Sequence, residues 1–122
     1  MSVRFITKSI HAYLDYPVAF ALMVLPFILG LGQSSPVAFW LSVATGVAAF
    51  VLTLLTDHHL GVVRVLPYGL HLAVDGLVGV MFLAAPFLLG FHGIDAAYYW
   101  ANGVAVVLVV SLYQQEPTLA TG

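Results

Sequence analysis

The chain has 122 residues, of which 62% are hydrophobic, and its three basic and five acidic side chains leave a net charge of -2. A soluble domain of this size has too much surface per volume to hide so much apolar area, and the lack of a basic patch excludes nucleic acid as a partner. There is no cysteine, which excludes disulfides, thiolate metal sites and a Cys nucleophile, and the mean hydropathy of +1.08 points to lipid as the solvent.

A membrane span needs about 20 mostly apolar residues. Four segments qualify. The first runs from about Ile10 to Leu31, with its strictly apolar part starting near Val18. A turn cluster of Gly30, Gly32, Gln33, Ser34, Ser35 and Pro36 follows it. The second span covers Pro36 to Leu55 and gives way to a polar loop that begins Thr56-Asp57-His58-His59 and ends at Pro67 and Gly69. The third covers Leu70 to Phe91, and Gly90, His92, Gly93 and Asp95 break the chain again. The fourth covers Ala96 to Tyr113 and stops at Gln114-Gln115-Glu116-Pro117. Short connections make sequential helices antiparallel neighbours. The expected fold is all-α, a bundle of four transmembrane helices.

Arg4, Lys8 and Arg64 are all the Lys and Arg of the chain, and with four spans they fall on one side. The positive-inside rule then puts both termini and the middle loop in the cytoplasm, in a multi-pass protein of the cell membrane. Read alone, Arg4, Lys8 and the apolar run Val18–Leu31 also fit a signal peptide. Recurrence of the same segment later in the chain argues against that.

A shift of 60 residues lays 3–56 over 63–116 without a gap, and twelve pairs are identical. The telling ones use scarce residue types: Arg4/Arg64, His11/His71, Asp15/Asp75, Pro26/Pro86, Gly30/Gly90 and Trp40/Trp100. We read repeat 1 as 3–56 and repeat 2 as 63–116, within one membrane domain. Each unit has two spans, so both enter from the same face and form parallel repeats about an axis along the membrane normal. At 100° per residue, His11, Asp15, Val18 and Pro26 lie within about 80° of one another. His71, Asp75, Val78 and Pro86 form the same stripe, and this face is expected to meet the other repeat.

The two His–Asp pairs, His11/Asp15 and His71/Asp75, are the foremost candidates for chemistry. Spacing of i,i+4 lets the carboxylate reach the imidazole of its own helix. Ionisable groups within a span are costly and face a partner or water. We read them first as a polar clasp between helices. The alternative is a ligand site for a metal, a haem or a quinone, since two His and two Asp make a plausible metal set. Asp57, His58 and His59 share that side and could add ligands. Pro26 and Pro86 kink their helices, and Gly30 and Gly90 end them in left-handed caps. Trp40 and Trp100, with Tyr98 and Tyr99 beside the latter, form an aromatic belt at the outer interface.

The unit Pro26-Phe27-x-Leu29-Gly30 recurs as Pro86-Phe87-x-Leu89-Gly90, and each is followed by a short loop and a Trp, Trp40 or Trp100. This pattern resembles the SPW-repeat family of small prokaryotic membrane proteins. Its name-giving triplet Ser-Pro-Trp corresponds to Leu25-Pro26-Phe27 and Ala85-Pro86-Phe87, so the Pro is kept and its neighbours differ. The resemblance covers nearly the whole chain and implies a two-hairpin membrane protein. It implies no activity.

Nearly all of the mass lies in the membrane, leaving no domain for catalysis in water, and no nucleophile has an obvious base. The expected role is therefore non-enzymatic: a structural or interaction protein without a cofactor, in contact with the lipid bilayer and with protein partners or further copies of itself, for example as an accessory subunit of a membrane complex. Binding of a metal, haem or quinone at the His–Asp pairs is the runner-up. A small transporter is third, for want of a polar path at midplane.

Overall fold

The computed structural model describes residues 8–56, 63 and 65–112, and for residues 8, 9, 11, 12 and 68 only the backbone. The described residues form four helices: α1 (Lys8–Leu29), α2 (Pro36–Leu55), α3 (Tyr68–Leu89) and α4 (Gly93–Ser111). Three of them are long and apolar enough to cross a membrane: Pro36–Leu55, Gly69–Leu89 and Gly93–Ser111. The apolar part of α1, Tyr13–Leu29, is shorter. At a rise of 1.5 Å per residue, Tyr13–Leu29 covers about 26 Å of a hydrocarbon core of about 30 Å. Phe20, Phe27, Ile28, Leu77, Phe87 and Leu88 are all more than 60% exposed. Large apolar side chains in that position require lipid around them. The chain is a small membrane protein, a four-helix bundle.

Two differences from the expected bounds have local causes. The fourth helix begins at Gly93 rather than near Ala96. His92 is its N-cap and Asp95 lies in its first turn, where a carboxylate suits the helix dipole. The third begins at Tyr68, directly after Pro67 at its N-cap, so Gly69 is helical. The expected end of the fourth span, Tyr113, lies outside the described residues, as do Arg4, Arg64, Asp57, His58, His59 and the side chains of Lys8 and His11.

Each hairpin is held by a close helix crossing. A Cβ on Gly46 would come within 2.7 Å of Met23 Cγ and 2.8 Å of Ala19 O, so α2 rides directly on the backbone of α1. In the second hairpin, a Cβ on Gly103 would meet Leu83 Cγ at 2.8 Å and Gly79 O at 3.0 Å. Without a hydrophobic force between helices in lipid, such close approach supplies the packing that holds them. Pro17 and Pro26 both lie inside α1. Pro26 has no N–H for Leu22 O, four residues earlier, and the Ser42 hydroxyl of α2 donates to that carbonyl instead at 2.8 Å. The proline's missing bond is thereby converted into an interhelical one. α1 closes over Gly30 at φ +66°, with the Leu31 N–H donating to Pro26 O at 3.0 Å. α3 ends at Gly90 at φ +72°.

The two hairpins meet differently at the two ends of the bundle. At the end carrying the α1–α2 and α3–α4 turns they are tightly joined. The Asp95 carboxylate, fully buried, accepts from Gly32 N and Ser34 N, both at 2.9 Å, and from Ser34 Oγ at 2.5 Å. The Ser34 hydroxyl in turn accepts from His92 N at 3.2 Å. Below this, the Tyr99 hydroxyl donates to Ala38 O at 2.7 Å. Ser42 spends its one proton on Leu22 O, so the Tyr98 hydroxyl, 2.6 Å away, donates to Ser42 Oγ. The apolar core packs here, among Leu22, Leu31, Phe82, Phe91 and Tyr99. Over the bundle as a whole, close backbone approach is extensive within each hairpin and sparse between the two.

Candidate functional site

The half of the bundle away from the α1–α2 and α3–α4 turns holds the candidate site. All four helices line a cavity of about 460 Å³ between the hairpins. Its walls are mainly Val, Leu and Ala, with Thr45, Thr53 and Asn102 as polar insertions. Asp15, His71 and Asp75 also face it, and these three come together across the hairpins.

His71 is 2% exposed and holds the centre of the group. Its Nε2 lies 3.2 Å from Asp75 Oδ2, one turn along α3, and 3.3 Å from Asp15 Oδ2 on α1. The other ring nitrogen, Nδ1, lies 2.7 Å from Thr56 Oγ1. Thr56 is placed by the chain leaving α2. Leu66 N donates to Leu55 O at 2.8 Å and Val63 N to Leu54 O at 3.0 Å, which folds the end of the connection back on α2. The Thr56 hydroxyl donates its proton to Leu52 O at 2.5 Å. Its oxygen therefore accepts from His71, and Nδ1 carries the ring's N–H. Nε2 faces two carboxylates. A bare lone pair there would be repelled, so Nε2 either donates a proton of its own to them or shares a cation with them.

Of the residues singled out in the sequence, Asp15, His71 and Asp75 thus meet at one point. Nothing is described of the His11 side chain, and Asp57, His58 and His59 lie outside the described residues. Pro26 and Pro86 are buried. Trp40 and Trp100 lie by the turns, away from the cavity. Trp40 stacks edge-on with Phe39, and the Trp100 indole donates to Leu83 O at 3.2 Å, three residues before Pro86.

Four polar residues near the site had not stood out. Thr56 reads as the start of a loop because Asp57, His58 and His59 follow it. Thr45, Thr53 and Asn102 are isolated polar groups in apolar helices, and that isolation is the signal available for them. Each satisfies itself on its own helix: Thr45 Oγ1 donates to Leu41 O, Thr53 Oγ1 to Ala49 O and Asn102 Nδ2 to Tyr98 O, at 2.7 to 2.8 Å. They give the apolar cavity wall polar points, which hydropathy alone does not reveal.

The SPW repeat domain model matches residues 9–114. The chain belongs to the SPW repeat family. This agrees with the resemblance read from Pro26-Phe27, Pro86-Phe87 and the two Trp residues. The match takes in all four helices of this SPW repeat protein except the first residue of α1, so the cavity and its polar end are built wholly within the family domain. No curated protein matches the chain. No solved structure matches it either.

Proposed function

We propose that this chain is a membrane-embedded binding protein, and that the cavity between its hairpins receives a small amphipathic molecule. The observation that carries this reading is the pairing of an apolar space with a polar end. A cavity of about 460 Å³ falls in the size range of small-molecule pockets, which combine apolar walls with a few convergent polar groups. A purely structural bundle would fill such a space with side chains. The cavity's occupant has an apolar body against Val18, Val78 and Ala105, and a head at Asp15, His71 and Asp75. The same three residues also clasp α1 to α3, so binding and a structural role share them.

A long-chain alcohol carrying a diazirine tests this. Photolysis in the membrane should label residues 45–53 and 102–109, which flank the cavity, and Ala105→Trp should suppress that labelling by filling the space. Labels spread evenly over the exposed faces around Phe27 and Phe87 would show that the alcohol meets only the lipid-facing surface.

The reading extends to symmetry and orientation. The units 3–56 and 63–116 are proposed to be parallel repeats about an axis through the cavity. In support, α1 and α3 both have 22 residues with bounds 60 apart. The lining pairs Asp15/Asp75 and Val18/Val78 keep the same spacing. With Arg4, Lys8 and Arg64 inside, the polar end of the cavity lies towards the cytoplasm. In intact cells an impermeant maleimide should then label Gln33→Cys and spare Arg64→Cys. The reverse pattern would invert the orientation.

A further inference from the structure

We propose that Asp15, His71 and Asp75 bind a divalent transition-metal ion, with His71 Nε2 and one oxygen of each carboxylate as ligands. This names the chemistry of the cavity's polar end, and it rests on reading that end as a binding site rather than as a clasp alone.

The distances suit a shared ion. Nε2 stands 3.2 and 3.3 Å from the two oxygens. In a tetrahedron the ligand–ligand edge is about 1.63 times the metal–ligand bond, so bonds of about 2.0–2.1 Å to nitrogen and oxygen give edges of about 3.3–3.4 Å. The three candidate ligand atoms all lie within 4.8 Å of one another.

The acceptor behind the imidazole is also in place. A histidine that binds metal through one nitrogen commonly donates its other N–H to a fixed acceptor, which sets tautomer and ring orientation. Thr56 fills that role for His71, because its own proton is committed to Leu52 O. Nε2 is thereby the nitrogen turned to the two carboxylates. Imidazole with carboxylates suits zinc, manganese or iron(II) better than calcium or magnesium. Three protein ligands leave coordination positions for a further donor, such as the head oxygen of the cavity's occupant.

The experiment uses the untagged full chain in mild detergent, stripped with a chelator and titrated with Zn2+ by calorimetry and with Co2+ by visible absorption. One Zn2+ per chain should bind, and Co2+ should give d–d bands of a nitrogen–oxygen site. His71→Asn and Asp75→Asn should weaken Zn2+ binding at least 100-fold. Thr56→Val, which touches no ion, should weaken it by about 10- to 100-fold, as loss of the acceptor behind a ligating imidazole does. Ala105→Trp should keep the metal while excluding the alcohol, which separates failure of this site from failure of the cavity reading. Zn2+ affinity that survives His71→Asn, or disappears with His58→Ala/His59→Ala, would overturn the assignment. So would the absence of Zn2+ and Co2+ binding to wild-type chain that retains its helical circular dichroism.

Discussion

Replacing Asp95 by alanine should destabilise the bundle by about 3 kcal/mol, because two backbone N–H groups and a hydroxyl lose a charged acceptor in a buried place. The carboxylate reaches Gly32 and Ser34, which belong to the other hairpin. It is therefore the main polar link between the two halves at the turn end. Asp95→Asn keeps one acceptor oxygen and turns the other into a donor facing donors, so it should fall between alanine and wild type. Ser34→Ala removes only the side-chain part of the network and should cost about 1 kcal/mol, the usual net worth of one hydrogen bond. Reversible unfolding in bicelles measures all three. An Asp95→Ala value within 0.5 kcal/mol of wild type would mean that the turn end is held by apolar packing around Phe82 and Tyr99 alone.

Asp95 also shows where a sequence stops being informative. A carboxylate in the first turn of a helix reads as a favourable partner of that helix's own dipole. Its actual partners are 61 and 63 residues away, and no local pattern encodes a bond from the first turn of α4 to the α1–α2 turn. The spans themselves were legible. Long apolar runs between Gly and Pro clusters place four helices, and the observed ends lie within three residues of the expected ones wherever they are described. Family membership was legible too, since it rests on the residues around Pro26 and Pro86 that shape helix ends.

The site was legible in part. Spacing puts His71 and Asp75 on one face of α3, and the stripe puts Asp15 on the corresponding face of α1. The 3.3 Å between His71 and Asp15 depends on how α1 and α3 cross, which the period of either helix does not contain. The cavity was invisible for a related reason. An apolar residue lining a hollow and one packed in a core have the same hydropathy. The space depends on how the two hairpins pack against each other, between the Asp95 network at one end and the His71 contacts to Asp15 and Thr56 at the other. Thr56 belongs to the same class, since its role follows from the chain folding back at Val63 and Leu66.

The second large effect is expected at His71. In chelator-treated protein, where no ion bridges the carboxylates, His71→Leu removes the group that stands between Asp15 and Asp75. Two carboxylate charges no more than 4.8 Å apart repel by roughly 3 kcal/mol at an effective dielectric of about 20. Ordinary interhelical hydrogen bonds in membranes average only about 0.6 kcal/mol, so the two readings of His71 differ several-fold in expected cost. If His71 is simple glue, His71→Leu should cost about that smaller amount, and further changes at the carboxylates should not restore it. If it compensates buried charge, the loss should approach 3 kcal/mol, and Asp15→Asn/Asp75→Asn should recover most of it in the same background by removing the charges that repel. The recovery is the decisive readout, because lost packing at position 71 is the same with and without the two Asn substitutions. A triple variant no more stable than His71→Leu alone would refute charge compensation and leave His71 as a hydrogen-bonded spacer between Thr56 and the cavity.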